Sequence, residues 1–374
     1  MSGFTAKLSA RSALAAAALA MTVATGAAQE LKELNFGIIS TETSANLKKG
    51  WEPFLRAMEK GTGLKVNGFY ASDYAGVIEA MRFGKVHIAW YGNKSAMEAV
   101  DRSSGEVFIQ SVDSDGNPGY WSHLIVHKDS PIQTLDDALK CDKTLDFGNG
   151  DPNSTSGFLV PTTYVFASKG IEPKQCFKSV RNAAHEANAM AVANKQVSVA
   201  TNNSENLRRL EVTAPAARKN IRVIWTSPLI ASDPLVWRKD LSPDVKAKVY
   251  TWLASYGRVG TPEEIAEAKK VLAELQWAPF NPSSNRQLLP IRQLEASKSL
   301  LRVMSDDKLS EQEKKTKSAE LKAEIAKLEQ AQKQAESDSF TKRVSAFIEA
   351  DKARDQAQIK KMISDFAATF ASTN

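Results

Sequence analysis

The sequence predicts an α/β protein of two doubly wound lobes joined by a two-strand hinge and followed by a helical tail. Strand-like and helix-like runs alternate from residue 33 to about 238. Two strand-like segments, 121–127 and 234–238, are placed to carry the chain out of one lobe and back into it, which makes the segment between them an inserted lobe. From about Lys298 Pro and Gly vanish and charged, Ala and Gln residues dominate. The expected division is a leader over 1–28, a first lobe over 29–122 plus 236–297, an inserted lobe over 123–235, and a tail over 298–374.

The leader comes first. Lys7 and Arg11 precede a small, apolar run over 12–21, and Gly26-Ala27-Ala28 stands before Gln29, the layout of a cleaved secretory signal peptide. The run is too short and interrupted to span a membrane, and no cysteine follows it to carry a lipid. A periplasmic location is therefore expected. With 43% hydrophobic and 25% charged residues the rest reads as globular, and a net charge of +6 with both signs interspersed does not mark a nucleic-acid binder.

In the first lobe, 34–39 reads as strand, 46–61 as helix, 65–70 as strand, 74–83 as helix and 88–91 as strand. In the inserted lobe, 123–127 and 144–148 read as strands, 158–169 as helix, 177–181 as strand, 186–194 as helix, and 197–201 and 222–225 as strands. Cys141 and Cys176 each precede a strand, and the right-handed crossover between those strands sets their starts side by side. In an oxidising compartment this favours a disulfide, and two cysteines without a nearby histidine pair make a poor zinc site. In the tail, Leu321, Ile325 and Leu328, then Phe340, Val344 and Phe347, recur at intervals of four and three. Two readings stay open: a pair of helices broken at 337–339 and folded back onto the body, or a coiled coil that forms a homodimer.

The most informative stretch is Asp151-Pro152-Asn153-Ser154-Thr155-Ser156-Gly157-Phe158, between a strand and a helix. Free N–H groups and the helix dipole favour an anion there, and three adjacent hydroxyls can donate to several oxygens of one tetrahedral group. No Lys follows the glycines, so this is not a nucleotide P-loop. Other polar clusters stand at strand ends or helix starts. They include Tyr74, Tyr120, and His185, whose protonated imidazole would suit an anion. Glu205 and Asp233 would repel each other if they faced one space, and a ligand ammonium would relieve that conflict.

Taken in order, 34–42, Asp73-Tyr74-Ala75-Gly76, 88–93, Pro118-Gly119-Tyr120-Trp121-Ser122 and 147–158 resemble the phosphonate-binding proteins of phosphonate ABC importers, from about Leu34 to Gln293. The resemblance implies a type II periplasmic-binding-protein fold that closes on a phosphonate, with 2-aminoethylphosphonate the expected ligand and an ABC permease the partner. It implies no cofactor and no catalysis. Matched by motif, Ser154, Thr155, Ser156, Tyr74, Tyr120 and His185 would hold the phosphonate, and Glu205 and Asp233 the amine. A receptor for phosphate, phosphite or a simple alkylphosphonate is the alternative within the binding class. A phosphatase using Ser154 and His185 is the alternative outside it, and it lacks a Gly-x-Ser-x-Gly elbow and a metal-ligand cluster.

Overall fold

A computed structural model describes residues 31–371 of the chain. The predicted signal peptide, 1–28, lies outside the described residues. Two sheets form the frame. The first has six strands in the order β13-β4-β12-β3-β1-β2, built from β1 (Glu33–Ile38), β2 (Lys65–Tyr70), β3 (Ile88–Trp90), β4 (Gly105–Asp113), β12 (Pro234–Arg238) and β13 (Trp277–Pro282). β1 pairs in parallel with β2 and β3, because the helices Ser44–Thr62 and Tyr74–Arg82 supply the crossovers that parallel strands need. Ser44–Thr62 is capped by Thr43, ends at Gly63 with φ of 68°, and buries Leu47, Trp51, Phe54, Leu55 and Met58 on one face.

The second sheet has five strands in the order β10-β6-β9-β7-β8, from β6 (Ser122–His127), β7 (Asp146–Asn149), β8 (Ser179–Asn182), β9 (Val199–Asn203) and β10 (Ile221–Thr226). β7 is parallel to both β8 and β9, while β6 runs antiparallel to β9 and β10. Asp146 stands opposite Ser179 at the start of the β7–β8 pair, and Cys141 and Cys176 just before them are joined by a disulfide.

The passages between the sheets differ from the expected hinge. The sequence offered 121–127 and 234–238 as the connecting strands, but β6 belongs wholly to the second sheet and β12 wholly to the first. The crossing is instead marked by a separate antiparallel pair, β5 (Gly119–Tyr120) with β11 (Ile230–Ala231). Two residues per strand give no readable alternation, which is why periodicity could not find this pair.

The expected boundary at 298 is not a break either, since one helix, Leu289–Ser305, runs through it. Composition shifts there because the outer turns meet solvent, whereas the chain turns only at Asp306. The tail folds back on the body as three further helices, Glu311–Ser337, Ser339–Lys352 and Gln356–Ala371. The first lies along Leu289–Ser305, where Gln293 bonds Glu329 at 3.0 Å and Gln332 at 2.6 Å, and Leu321, Ile325 and Leu328 are half-buried. The last packs on the helix Pro243–Ser255 through Phe366 and Tyr250, and Phe347 is fully buried. Arg258 secures this corner, bonding Asp351 at 2.7 Å with its guanidinium over the Phe347 ring.

Candidate functional site

The parallel strands of both sheets end toward one cleft, the place where open α/β sheets hold ligands. β7 leads into the Ser154–Ser156 trio, β9 into Glu205, and β3 into Gly92 and Asn93. A tight approach of two glycines shapes the first of these turns. Gly150 N–H donates to the Gly157 carbonyl at 3.0 Å, and a Cβ on Gly150 would stand 2.4 Å from that carbonyl. Ser154 is the N-cap, its Oγ accepting from Gly157 N–H at 2.9 Å. The helical run therefore begins at Thr155, not at Phe158 as the sequence suggested.

Its first turns are also wider than α: Leu159 N–H reaches back five residues to the Ser154 carbonyl at 3.1 Å, and Ala167 N–H does the same to Thr162. Pro161 has no N–H for an α ladder, and wide turns absorb that gap.

The trio is buried, and its members do different things. Ser154 Oγ and Ser156 Oγ lie 3.3 and 3.5 Å from His185 Nε2. Asn203 Nδ2 donates to Ser156 Oγ at 3.0 Å and lies 3.4 Å from the same imidazole nitrogen. Thr155 Oγ1 instead accepts the backbone N–H of Lys94 at 2.8 Å, which ties the cradle to the first lobe. His185 is buried, and desolvation lowers its pKa to about 4, which favours the neutral ring over the imidazolium that the sequence offers as a partner for an anion. Its Nδ1 is buried without a partner. Neutral hydroxyls, an amide and an uncharged ring thus surround the seat.

The acidic side of the cleft is equally defined. Tyr120 donates to Asp233 Oδ1 at 3.0 Å, and Asn93 Nδ2 lies 3.5 Å from the same oxygen. Asp233 was expected with the inserted lobe, but it belongs with the first: its carbonyl accepts from Ser111 N–H and Oγ of β4. Glu205 sits in the first turn of the helix Ser204–Thr213, on the second sheet. Burial raises the Glu205 carboxyl to about 7, with Asp113 adding to the rise and Arg208 and Arg209 opposing it. Burial also pushes Asp233 well above the carboxylate range, and the charge of Glu205 pushes it further. Asp233 therefore feels the charge of Glu205 from the opposite lobe.

Tyr74 and Tyr120 join the two halves. Burial raises both phenols, Tyr74 bonds Ser154, and both feel Asp233 and Glu205. Contacts across the cleft hold the lobes together. Glu186 accepts from Thr43 N–H at 2.8 Å and Asn46 Nδ2 at 2.6 Å, Asp151 accepts from Tyr74 N–H at 3.2 Å, and Arg209 pairs with Glu42 at 2.7 Å. Sequence reasoning did not single out Asn203, Asn93, Asp151 or Glu186. Asn203 stood within the polar run opening the Glu205 helix, but composition alone could not separate it from Asn202, whose amide turns to the His185 carbonyl instead.

Among the described residues no three His, Cys, Asp or Glu side chains are grouped to hold a metal ion, and no helix is long and apolar enough to cross a membrane.

Residues 36–288 match a family described as the phosphonate periplasmic substrate-binding protein of an ABC transporter. Over 303 residues the chain is 58% identical to the phosphonates-binding periplasmic protein of Escherichia coli (strain K12), covering 81% of this chain and 88% of that one. It is similar to a crystallised binding component of a phosphonate ABC transporter from Pseudomonas aeruginosa, with 54% identity, a TM-score of 0.78, and coverage of 80% of this chain and 98% of the other. A Prochlorococcus marinus protein solved with methylphosphonate shares the fold at 20% identity and a TM-score of 0.61, over 70% of this chain and 97% of that one.

Proposed function

This chain belongs to the family of periplasmic phosphonate-binding proteins of ABC transporters, and on that premise we propose that it captures 2-aminoethylphosphonate by closure of its two lobes. The family makes it a substrate-binding component with a periplasmic-binding-protein fold, not an enzyme, and gives it an ABC permease as partner. In our reading the phosphonate oxygens take hydrogen bonds from Ser154, Thr155, Ser156 and Tyr74 beside His185, the ammonium lies between Glu205 and Asp233, and Tyr120 turns its one O–H from Asp233 to the phosphonate as the ammonium takes over that carboxylate. The observation that carries this reading is the acidic pair: two carboxyls, both raised by burial and Asp233 raised further by the charge of Glu205, beside a seat lined with hydroxyls. A second anion at that position gains nothing from them, whereas an ammonium removes their repulsion.

Closure follows from where the groups stand. The hydroxyl trio and Glu205 come from the second sheet, while Tyr74 and Asp233 come from the first. A zwitterion held by both gains contacts that exist only when the lobes meet, so binding favours the closed state that a permease can recognise. Neutral donors bind the anion without a cationic clamp, which leaves release possible at the permease.

A thermal-shift and calorimetric panel of 2-aminoethylphosphonate, methylphosphonate, phosphate and phosphite tests the reading. The aminophosphonate is expected to bind tightest; tighter binding of phosphate or phosphite would overturn it. Removal of 1–28 on export is expected, and the intact mass of protein from the periplasm reads it directly. We infer a monomer, because the apolar seam of the tail already packs within the chain; a sedimentation mass of two chains at micromolar concentration would refute this.

A further inference from the structure

A cavity of ≈ 40 Å³ opens from the seat itself, lined by His185, Asn203 and Glu205 on one side and by Leu47, Trp51, Trp90 and Trp277 on the other. The three indoles lie together, with ring centroids 5.4 Å apart for Trp51–Trp90, 5.1 Å for Trp51–Trp277 and 5.9 Å for Trp90–Trp277. Two carboxylates, Glu205 and Glu42, line the same space with a single cation, Arg209. Arg209 pairs with Glu42, so Glu205 is the charge left over. Aromatic faces beside an uncompensated carboxylate suit an ammonium that carries alkyl groups, since the faces attract the cation and cover its carbons.

We propose that this cavity is a substituent pocket, and that the protein accepts aminophosphonates whose nitrogen carries a methyl group as well as the primary amine. The inference rests on the aminophosphonate reading above. A methylated ammonium keeps two N–H bonds, one for each carboxylate, while its methyl group enters the space walled by the tryptophans. The volume admits roughly two or three water-sized groups, enough for one methyl and a water. A ligand extended by a carboxylate does not fit, because Glu205 and Glu42 face the same space and would repel it.

Calorimetry on the full chain at pH 7.5 tests this with 2-aminoethylphosphonate, its N-methyl derivative and ethylphosphonate. The N-methyl compound is expected within tenfold of the primary amine. Leu47→Phe, which fills the cavity from the helix Ser44–Thr62, is expected to weaken the N-methyl compound by a further tenfold or more and the primary amine by less than threefold. Leu275→Phe, which narrows the same cavity from another wall, is expected to show the same selective loss; it provides the readout if melting shows that Leu47→Phe has not folded. N-methyl binding more than a hundredfold weaker than the primary amine, or equal losses for both ligands in the folded Leu47→Phe variant, overturns the pocket while leaving the aminophosphonate reading intact. Primary-amine binding no tighter than ethylphosphonate overturns both.

Discussion

Glu205→Gln removes a charge from the cleft while keeping the shape and size of the side chain, so it separates electrostatics from packing. The carboxyl is raised from an ordinary 4.5 to about 7, chiefly by burial. That difference corresponds to about 3 kcal/mol between its protonated and ionised forms. An acid whose pKa is higher in the folded protein than in the unfolded chain contributes stability that is complete below about pH 4.5 and lost as pH rises through about 7. The unliganded wild type should therefore lose about 3 kcal/mol of stability from this group between pH 4.5 and pH 8, and Glu205→Gln should not.

Ligand binding reverses the sign of the effect. With an ammonium present, loss of one partner from a desolvated charge pair costs about 2–5 kcal/mol, or roughly 30- to 4000-fold in affinity. Methylphosphonate has no ammonium, so its affinity should hold or rise slightly. Calorimetry of both ligands at pH 8, beside denaturant unfolding at pH 5 and pH 8, reads all of this. Equal losses for the two ligands, or a variant whose stability falls with pH as steeply as the wild type, would refute the argument.

Ser156→Ala removes a hydroxyl that faces His185 and Asn203, and should weaken aminoethylphosphonate and methylphosphonate alike by about 1–2 kcal/mol in calorimetry. Ser154→Ala should do the same and, because Ser154 caps the helix, also lower unfolding stability by about 1 kcal/mol. Glu186→Ala breaks two hydrogen bonds across the cleft at a distance from either ligand charge, so all ligands should lose a similar factor, about 1–3 kcal/mol, with a more open shape in small-angle scattering. Reducing the Cys141–Cys176 bond, which closes a 35-residue separation, should lower stability by about 4 kcal/mol in denaturant. Affinity should hold, because the bond lies at the start of β7 and the cradle follows its other end. Aminoethylphosphonate binding at pH 6–7 should release protons from the acidic pair, seen as a dependence of the binding heat on the buffer's ionisation heat.

Several parts of the architecture were legible because they depend on neighbours in the chain. The alternation of strand and helix, the βαβ crossovers of the first lobe, and the capped turn at Ser154 follow from periodicity and from residues within four positions of one another. The two-residue strands β5 and β11 were not legible, since they exist only where distant segments meet. The tail shows the same division. Its heptad spacing announced helices, but the same stripe serves a dimer or a fold-back, and only the presence of Leu289–Ser305 and Pro243–Ser255 beside it selects the fold-back.

At the candidate site the residue types were readable and their states were not. Ser154, Ser156, Tyr74, Tyr120, Glu205 and Asp233 stand out as polar groups at strand ends. The sequence leaves the charge of His185 open, and burial favours its neutral form, because the charge depends on desolvation by side chains far away in sequence. Asp233 lies beyond the last strand of the inserted lobe, but its carbonyl is held by β4, so the acid pair spans the cleft. By itself the sequence determined the fold class, the family and the chemical inventory of the site. Tertiary structure decided which lobe presents each group and how far each is dried, since hydration and Coulomb repulsion depend on distance through space and not along the chain.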